Sequence, residues 1–421
     1  MSRTIRTIWI VNKYAMPPQY ESRLRAIKFA QYLVDRGYKV TVFGSSSMHN
    51  MDINLITNKT PYVRKQYGNI DFVHIKARSY KKTAGLNRIL SEFDFFYRLR
   101  FHIKEFEKPD CIIETGGPLI TNPILGYAKK HNIPFILEIL DVWPDDFVDF
   151  GLISPHNPIM KILYAQTKYN YVHSDALVFS WSGCYKYLEQ KGWATQCGGK
   201  VDLNKVYYIN NGVDLNDFNK WKHEYTLDDA DLNSNYKKII YLGSIRLAND
   251  IMKLVKAAEL LLHNREDCKV LIYGNGEDRE RLVEYCKSHH LSNIIFKDKW
   301  IDPKYVPFIL SQGYINILNY TEKFGIYGIS SSKLFQYMAS GRPIVCNINI
   351  FDCPITKYQI GLAKKFSSAL EYADAITSIL NMPNSEYDAM CQRTINAAKE
   401  YDYEYLTQSM INVINQTTNN L

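Results

Sequence analysis

The chain has 421 residues, of which 46% are hydrophobic and 22% charged, with a formal net charge of +8. That length exceeds one ordinary core and implies two domains of about 200 residues each. No apolar run approaches the roughly 20 residues of a membrane span, and eight scattered cysteines without a C-x-x-C pair argue against structural zinc and for reduced thiols.

The opening M-S-R-T-I-R-T-I-W-I-V reads as a first strand rather than a signal peptide. Glu21 to Arg36 follows as a helix with Leu24, Ile27, Ala30, Leu33 and Val34 on one face and Gly37 closing it. K-V-T-V-F-G completes a βαβ unit over residues 5 to 44. Between Lys76 and Lys104, eight lysines and arginines are opposed only by Glu92 and Asp94, with Tyr80, Phe93, Phe95, Phe96, Tyr97 and Phe101 interleaved. Such a stretch suits an anionic membrane surface, and equally a buried aromatic helix with a solvated basic edge. No nucleic-acid-binding motif accompanies it.

The pattern resumes with D-C-I-I-E-T, a Gly116-Gly117-Pro118 turn, a helix through Lys130, and the strand P-F-I-L-E-I-L. A-L-V-F-S at 176 to 180 and V-Y-Y-I-N at 206 to 210 are later strands, with 191 to 204 an aperiodic surface loop near a domain junction. The second half repeats the scheme from K-I-I-Y-L-G through K-V-L-I-Y-G, N-I-I-F-K and Y-I-N-I-L-N-Y to P-I-V-C-N-I. Strands alternating with helices imply parallel sheets covered on both faces. The polar residues from Asn415 onward are expected to fray.

Within S-S-S-K-L-F-Q-Y-M-A-S-G-R-P (330 to 343), three serines can cap a helix that Gly341 and Pro343 end. Lys333 then falls in its first turn, where the macrodipole is already positive. A cation there suits a phosphate site, or else bends away into solvent.

The order and spacing of I-N-N-G-V-D (209 to 214), Y-L-G-S-I-R (241 to 246), Y-G-N-G-E (273 to 277) and Y-G-I-S-S-S-K-L-F-Q-Y-M-A-S-G-R-P resemble GT-B glycosyltransferases of the retaining family 4 type. E-T-G-G-P-L and L-D-V-W-P-D are similar to segments of its bacterial surface-polysaccharide branch. The resemblance implies an α/β fold of two Rossmann-like domains facing across a cleft. Residues 1–200 would form the acceptor side and 201–395 the nucleotide-sugar side, with 396–421 a C-terminal helix and tail returning to the first domain. It implies transfer of a hexosyl or N-acetylhexosaminyl group, with retention, from a nucleoside-diphosphate sugar (uridine diphosphate on family frequency) to a lipid-linked or oligosaccharide acceptor. The setting would be capsule, O-antigen or exopolysaccharide synthesis at the inner face of the cell membrane, with no cofactor or metal and no nucleic acid as partner.

Carried over position by position, Arg246 and Lys333 would hold the donor diphosphate, and Asp141 would orient sugar hydroxyls or else cap the helix after it. Gly243, Gly276, Tyr327, Gly328, Ser331, Ser332 and Gln336 would complete the donor site. Arg23, Gly117, Trp143 and Asp145 would face the acceptor, and Arg25 a phosphate on it. The family's paired glutamates fall here on Gly328 and Gln336, and many relatives keep a cation near Asn249. These departures leave room for two other readings: a scaffold that binds nucleotide sugar without turnover, and a GT-B epimerase or hydrolase.

Overall fold

A computed structural model describes residues 5–20, 25–49, 51–80, 86–116, 122–149, 151, 153–263 and 265–419. The chain divides into two compact units: Met1–Asn210 with Leu406–Leu421, and Asn211–Tyr405. The division falls at 210/211, so the segment 191–204 lies within the first unit. There Trp193, Ala194 and Val201 are buried, and the loop is closed by a bridge between Ala194 and Val201.

The first unit holds an eight-stranded sheet. Its strands are β1 (Thr7–Val11), β2 (Lys39–Ser45), β3 (Tyr62–Tyr67), β4 (Ile70–Ile75), β5 (Cys111–Thr115), β6 (Phe135–Ile139), β7 (Ala176–Phe179) and β8 (Val206–Tyr208). They lie in the order β3-β4-β2-β1-β5-β6-β7-β8, parallel except for β3. The central strands β1 and β6 are buried at every position, which is why T-I-W-I-V and F-I-L-E-I read as continuous apolar runs. The helix Arg25–Asp35 buries Ala26, Ile27, Phe29, Ala30 and Leu33, and Gly37 ends it in the left-handed region at φ +88°.

The hairpin β3–β4 escapes the sequence reading. Its two-residue Gly68-Asn69 turn is a legitimate hairpin signal, but β3 is Y-V-R-K-Q-Y, an edge strand with no buried residue and hence no apolar alternation to find. The C-terminus departs from expectation too. The helix Tyr403–Asn419 runs past Asn415, and Thr417 and Thr418 are buried, their hydroxyls bonded to carbonyls one turn back.

The second unit holds β9 (Lys237–Leu242), β10 (Cys268–Tyr273), β11 (Ile294–Phe296), β12 (Ile315–Leu318), β13 (Ile344–Cys346) and β14 (Gly361–Ala363), all parallel in the order β11-β10-β9-β12-β13-β14. Alternate residues of β9 enter opposite cores. Ile240 packs with Leu334, Phe335 and Met338, whereas Ile239 and Tyr241 pack with Leu254, Ala258 and Ile376. Both faces are therefore covered, as a parallel sheet requires. In each unit the strand order reverses direction at one strand, β1 and β9 respectively. Open sheets of this kind bind ligands outside the carboxyl ends of the strands at that point.

The basic and aromatic stretch becomes the helix Leu86–His102. Phe95, Phe96 and Leu99 are buried, Arg78 pairs with Asp94 at 2.6 Å, Arg88 donates to the Tyr14 hydroxyl, and Arg100 lies over the Tyr127 ring. Lys76 donates to the Asn58 carbonyl, and Lys81 and Lys82 fall outside the described residues. Most of the described cations of this stretch are thus engaged inside the unit, whereas the aromatic residues Phe95 and Phe96 are buried as the buried-helix reading expects.

Candidate functional site

At the carboxyl end of β9 the chain passes through Gly243 at φ +155° and runs beside the loop after β10. Gly243 N–H donates to Tyr273 O (3.1 Å) and Ile245 N–H to Asn275 O (2.9 Å). A Cβ on Gly274 or Gly276 would overlap the carbonyls of Gly243 or Ile245, so the G-N-G sequence is required by close backbone approach. These contacts present Arg246, which is exposed, at the start of a short 3-10 turn over Leu247–Asn249. Thr321 N–H donates to Ala248 O (3.0 Å) and fixes that turn against the loop after β12.

Lys333 stands in the first turn of the helix Ser332–Ala339, as its sequence anticipates. Its stem is half-buried beside Gly243, and its ammonium donates to the Tyr241 hydroxyl at 3.3 Å and lies over the Tyr241 and Tyr320 rings. Burial first, and the Arg246 guanidinium second, lower its pKa to about 8. Among the described residues neither Arg246 nor Lys333 forms an ion pair.

The helix end beside them is open. Ser331 occupies the N-cap, but its side chain caps nothing and its hydroxyl meets that of Tyr320. Elsewhere Asn122, Asp214 and Ser368 cap their helices with side-chain oxygens. Leu334 N–H bonds back to Ser331 O (3.0 Å), and no side chain caps the Ser332 and Lys333 N–H groups, which suits a helix end that receives an anion. Ser332 is exposed, Gln336 half-buried one turn on, and Tyr327 half-buried on the preceding loop. Gly328, at φ +107°, donates its N–H to Gly325 O (3.3 Å).

Several supports carry no periodic signal. Tyr337 pins the helix to the end of β9, its hydroxyl donating to Leu242 O (3.0 Å) and accepting from Leu242 N–H (3.2 Å). Asn211 of I-N-N-G-V-D donates to Ser330 O (2.6 Å), and Asp214 of the same motif caps the helix Leu215–Glu224. Asn249 is buried, its amide facing Asn319 O at 3.4 Å, so it stands as a structural residue rather than a substitute for a second cation.

In the first unit, Arg23 and Gly117 lie outside the described residues. Asp141 is exposed on the loop after β6. The helix Asp145–Asp149 begins four residues on, directly after Pro144. Trp143 is half-buried, edge-on to Phe147 with centroids 4.6 Å apart. Asp145 is committed elsewhere: its carboxylate accepts from Tyr164 (2.6 Å) and Tyr187 (2.8 Å) and pairs with Lys191. Arg25 corrects the expectation of an acceptor phosphate. It is 4% exposed, ion-paired to Glu138 at 2.9 Å, and donates to the carbonyls of Ile209 and Asn210.

Sequence reasoning also missed Glu114, at the end of β5. It is fully buried, bonded to Asn122, and held well above the usual carboxyl range by burial. A cavity of about 340 Å³ opens at the amino ends of β6 to β8, away from these loops. Its lysines are occupied, Lys129 by Asp175 and Lys205 by two carbonyls.

Residues 226–401 match the family described as Glycosyl transferases group 1. That match covers the whole sheet of the second unit and both cations. No curated protein matches the chain in sequence comparison. Among solved structures, sucrose-phosphate synthase from Thermosynechococcus elongatus aligns over 99% of this chain and 100% of its own, with TM-score 0.67 and 13% identity. A structure of trehalose-6-phosphate from E. coli bound with UDP-2-fluoro glucose aligns over 97% and 99%, with TM-score 0.69 and 12% identity. A glycosyltransferase from Rickettsia africae aligns over 100% of both chains, with TM-score 0.66 and 14% identity. The fold is thus α/β with two Rossmann-like parallel-sheet units, matching GT-B glycosyltransferase structures.

Chemically, the second unit offers two converging cations and an uncapped helix N-terminus at the point where its sheet reverses. Such an arrangement can receive a dianion such as a diphosphate, with glycine-shaped backbone close by. Among the described residues, no group of three or more His, Cys, Asp or Glu could hold a metal ion.

Proposed function

We propose that this chain is a retaining glycosyltransferase that moves a hexosyl or N-acetylhexosaminyl group from a nucleoside-diphosphate sugar to a lipid-linked or oligosaccharide acceptor. The observation that carries the reading is the pair Arg246 and Lys333, two cations without acidic partners among the described residues, beside a helix end that no side chain caps. As the glycosidic bond breaks, charge builds on the departing diphosphate. Arg246 can grip it with its planar fork, and Lys333 and the helix N–H groups can receive the rest. These groups do the electrostatic work without a metal. No carboxylate is assigned as nucleophile; the acceptor hydroxyl attacks from the face the diphosphate leaves, and a phosphate oxygen takes its proton.

The first unit would contribute Asp141 and Trp143 to sugar contacts. Tyr327, Gly328 and Gln336 would meet the donor sugar and ribose. The match of residues 226–401 to a glycosyltransferase family and the UDP-sugar bound in one structural neighbour support a UDP-sugar donor. We place the role in surface-polysaccharide synthesis, in the cytoplasm at the inner face of the cell membrane. The motifs E-T-G-G-P-L and L-D-V-W-P-D support this, and no described helix is long and apolar enough to cross a membrane.

The test is transfer from a panel of nucleotide sugars to lipid-extracted acceptors, with Lys333→Ala and Arg246→Ala. Each substitution is expected to lower kcat by roughly 10²–10³, the effect of losing one donor to a developing oxyanion. Parental rates in both variants would remove the assignment. Donor-dependent thermal stabilisation without turnover on any acceptor would favour the scaffold reading that Gly328 and Gln336 keep open. Rapid donor consumption without acceptor would favour an epimerase or hydrolase.

A further inference from the structure

The helix Pro158–His173 buries one face only: Met160, Leu163, Thr167, Asn170 and Tyr171 are buried, and the Tyr171 ring meets Phe179 of β7 edge-on. Its opposite face carries large apolar side chains, with Gln166 and His173 among them, where a surface helix should be mostly polar. Ile159 is 52% exposed, Ile162 62% and Tyr169 45%, with Ala165 exposed between them. At 100° per residue these four fall within one stripe about 120° wide. Lys161 and Lys168 line one edge of that stripe, and the helix contains no carboxylate.

We propose that this helix face is the surface by which the protein docks on an anionic lipid bilayer. The inference deepens the membrane-peripheral part of the proposed function and moves the contact away from Leu86–His102, whose cations are largely engaged internally. An interfacial helix seats isoleucines and tyrosine at the headgroup boundary, while lysines at its edge reach the lipid phosphates. A second copy of the chain fits less well. Four such side chains cover only a few hundred Å², short of the about 1,000 Å² of a stable interface. An antiparallel two-fold pairing would also set the lysine edges side by side. Because the helix runs back from the end of β6 to the start of β7, its Ile159 end lies toward the carboxyl ends of the strands. Docking there would bring a lipid-borne acceptor to the loop that carries Asp141.

The experiment is co-sedimentation of the full chain with phosphatidylcholine vesicles, with and without phosphatidylglycerol, at low and high salt. The parent is expected to bind only the anionic vesicles, and less at high salt. Ile159→Ser with Ile162→Ser, and separately Lys161→Glu with Lys168→Glu, should each weaken partitioning about tenfold or more. Ile159, Ile162 and Lys161 are exposed and Lys168 is half-buried, so circular dichroism should be unchanged in the isoleucine variant and is the check on folding in the lysine one. Absence of parental binding overturns the proposal. So does parental binding by both variants, loss of binding on Phe101→Ser with Lys104→Glu instead, or a dimer in sedimentation velocity that the isoleucine variant dissociates while vesicle binding persists. Transfer to a short water-soluble acceptor, measured on the same variants, should stay at the parental rate. Failure of transfer by every form, parent included, would count against the transferase reading and leave the vesicle result standing on its own.

Discussion

Gly243 makes the space that Lys333 fills. A Cβ at residue 243 would overlap the lysine's Nζ and Cε, and the backbone there, at φ +155°, is one that L-residues rarely adopt. The glycine is thus tied to the cation by volume as well as by conformation. Gly243→Ala should push the ammonium away from Tyr241, weaken donor binding about tenfold or more, and cost about 1–3 kcal/mol of stability. Gly37→Ala is the control: it is strained at φ +88° but has open space around it, so it should lower the melting temperature and leave donor affinity alone. Isothermal titration with a nucleoside diphosphate, beside thermal melts, separates the two effects.

Donor affinity should depend on pH through Lys333. Burial and Arg246 lower its pKa to about 8, so the free protein loses this charge as pH rises through that value. A diphosphate binds the protonated form, so affinity is expected to be flat below pH 7 and to fall toward tenfold per unit above 8. Lys333→Arg should remove this dependence whatever its effect on turnover. A parental profile in that variant would assign the titration to another group.

Asp145 holds the first unit together rather than touching substrate. Two tyrosine hydroxyls and Lys191 converge on its carboxylate, all partly or fully buried. Asp145→Ala strands a cation and two hydroxyls, and about 3 kcal/mol of stability should go with them. Tyr187→Phe, which removes one hydrogen bond, should cost about 1 kcal/mol. Nucleoside-diphosphate binding to the folded fraction should be unchanged in both, as read by titration below the melting range.

His74 makes the first unit acid-sensitive. It is fully buried in β4, stacked on Phe72 at 4.4 Å and bonded to the Tyr67 hydroxyl at 3.0 Å, and burial lowers its pKa from 6.5 to about 4. The unfolded chain takes up this proton near 6.5 and the folded one only near 4. Stability from this group is therefore complete above 6.5 and lost as pH falls through 4, a difference of roughly 3 kcal/mol. Denaturant melts of His74→Phe between pH 7 and pH 4 should show a shallower slope than the parent.

The boundary between what could be read in one dimension and what could not follows the range of the forces involved. T-I-W-I-V, F-I-L-E-I and K-K-I-I-Y-L announce central parallel strands because both faces are buried and most positions are apolar. S-S-S-K announces a helix opening on a cation, but the serine cap it promises is not made: the Ser331 hydroxyl meets Tyr320 instead. G-N-G announces a close backbone approach because glycine alone permits it. What partners each charge finds is a different matter, decided by residues far away in sequence. Arg25 reads in sequence as a contact for an acceptor phosphate, but Glu138, 113 residues on, is folded against it. Asp145 and the basic stretch before Lys104 were reassigned in the same way, and Ile159 and Ile162 emerged as exposed only once the helix chose which face to bury. Local sequence sets the elements; only packing in three dimensions determines which charges remain available to a ligand, because Coulomb and burial energies depend on neighbours that chain order does not name.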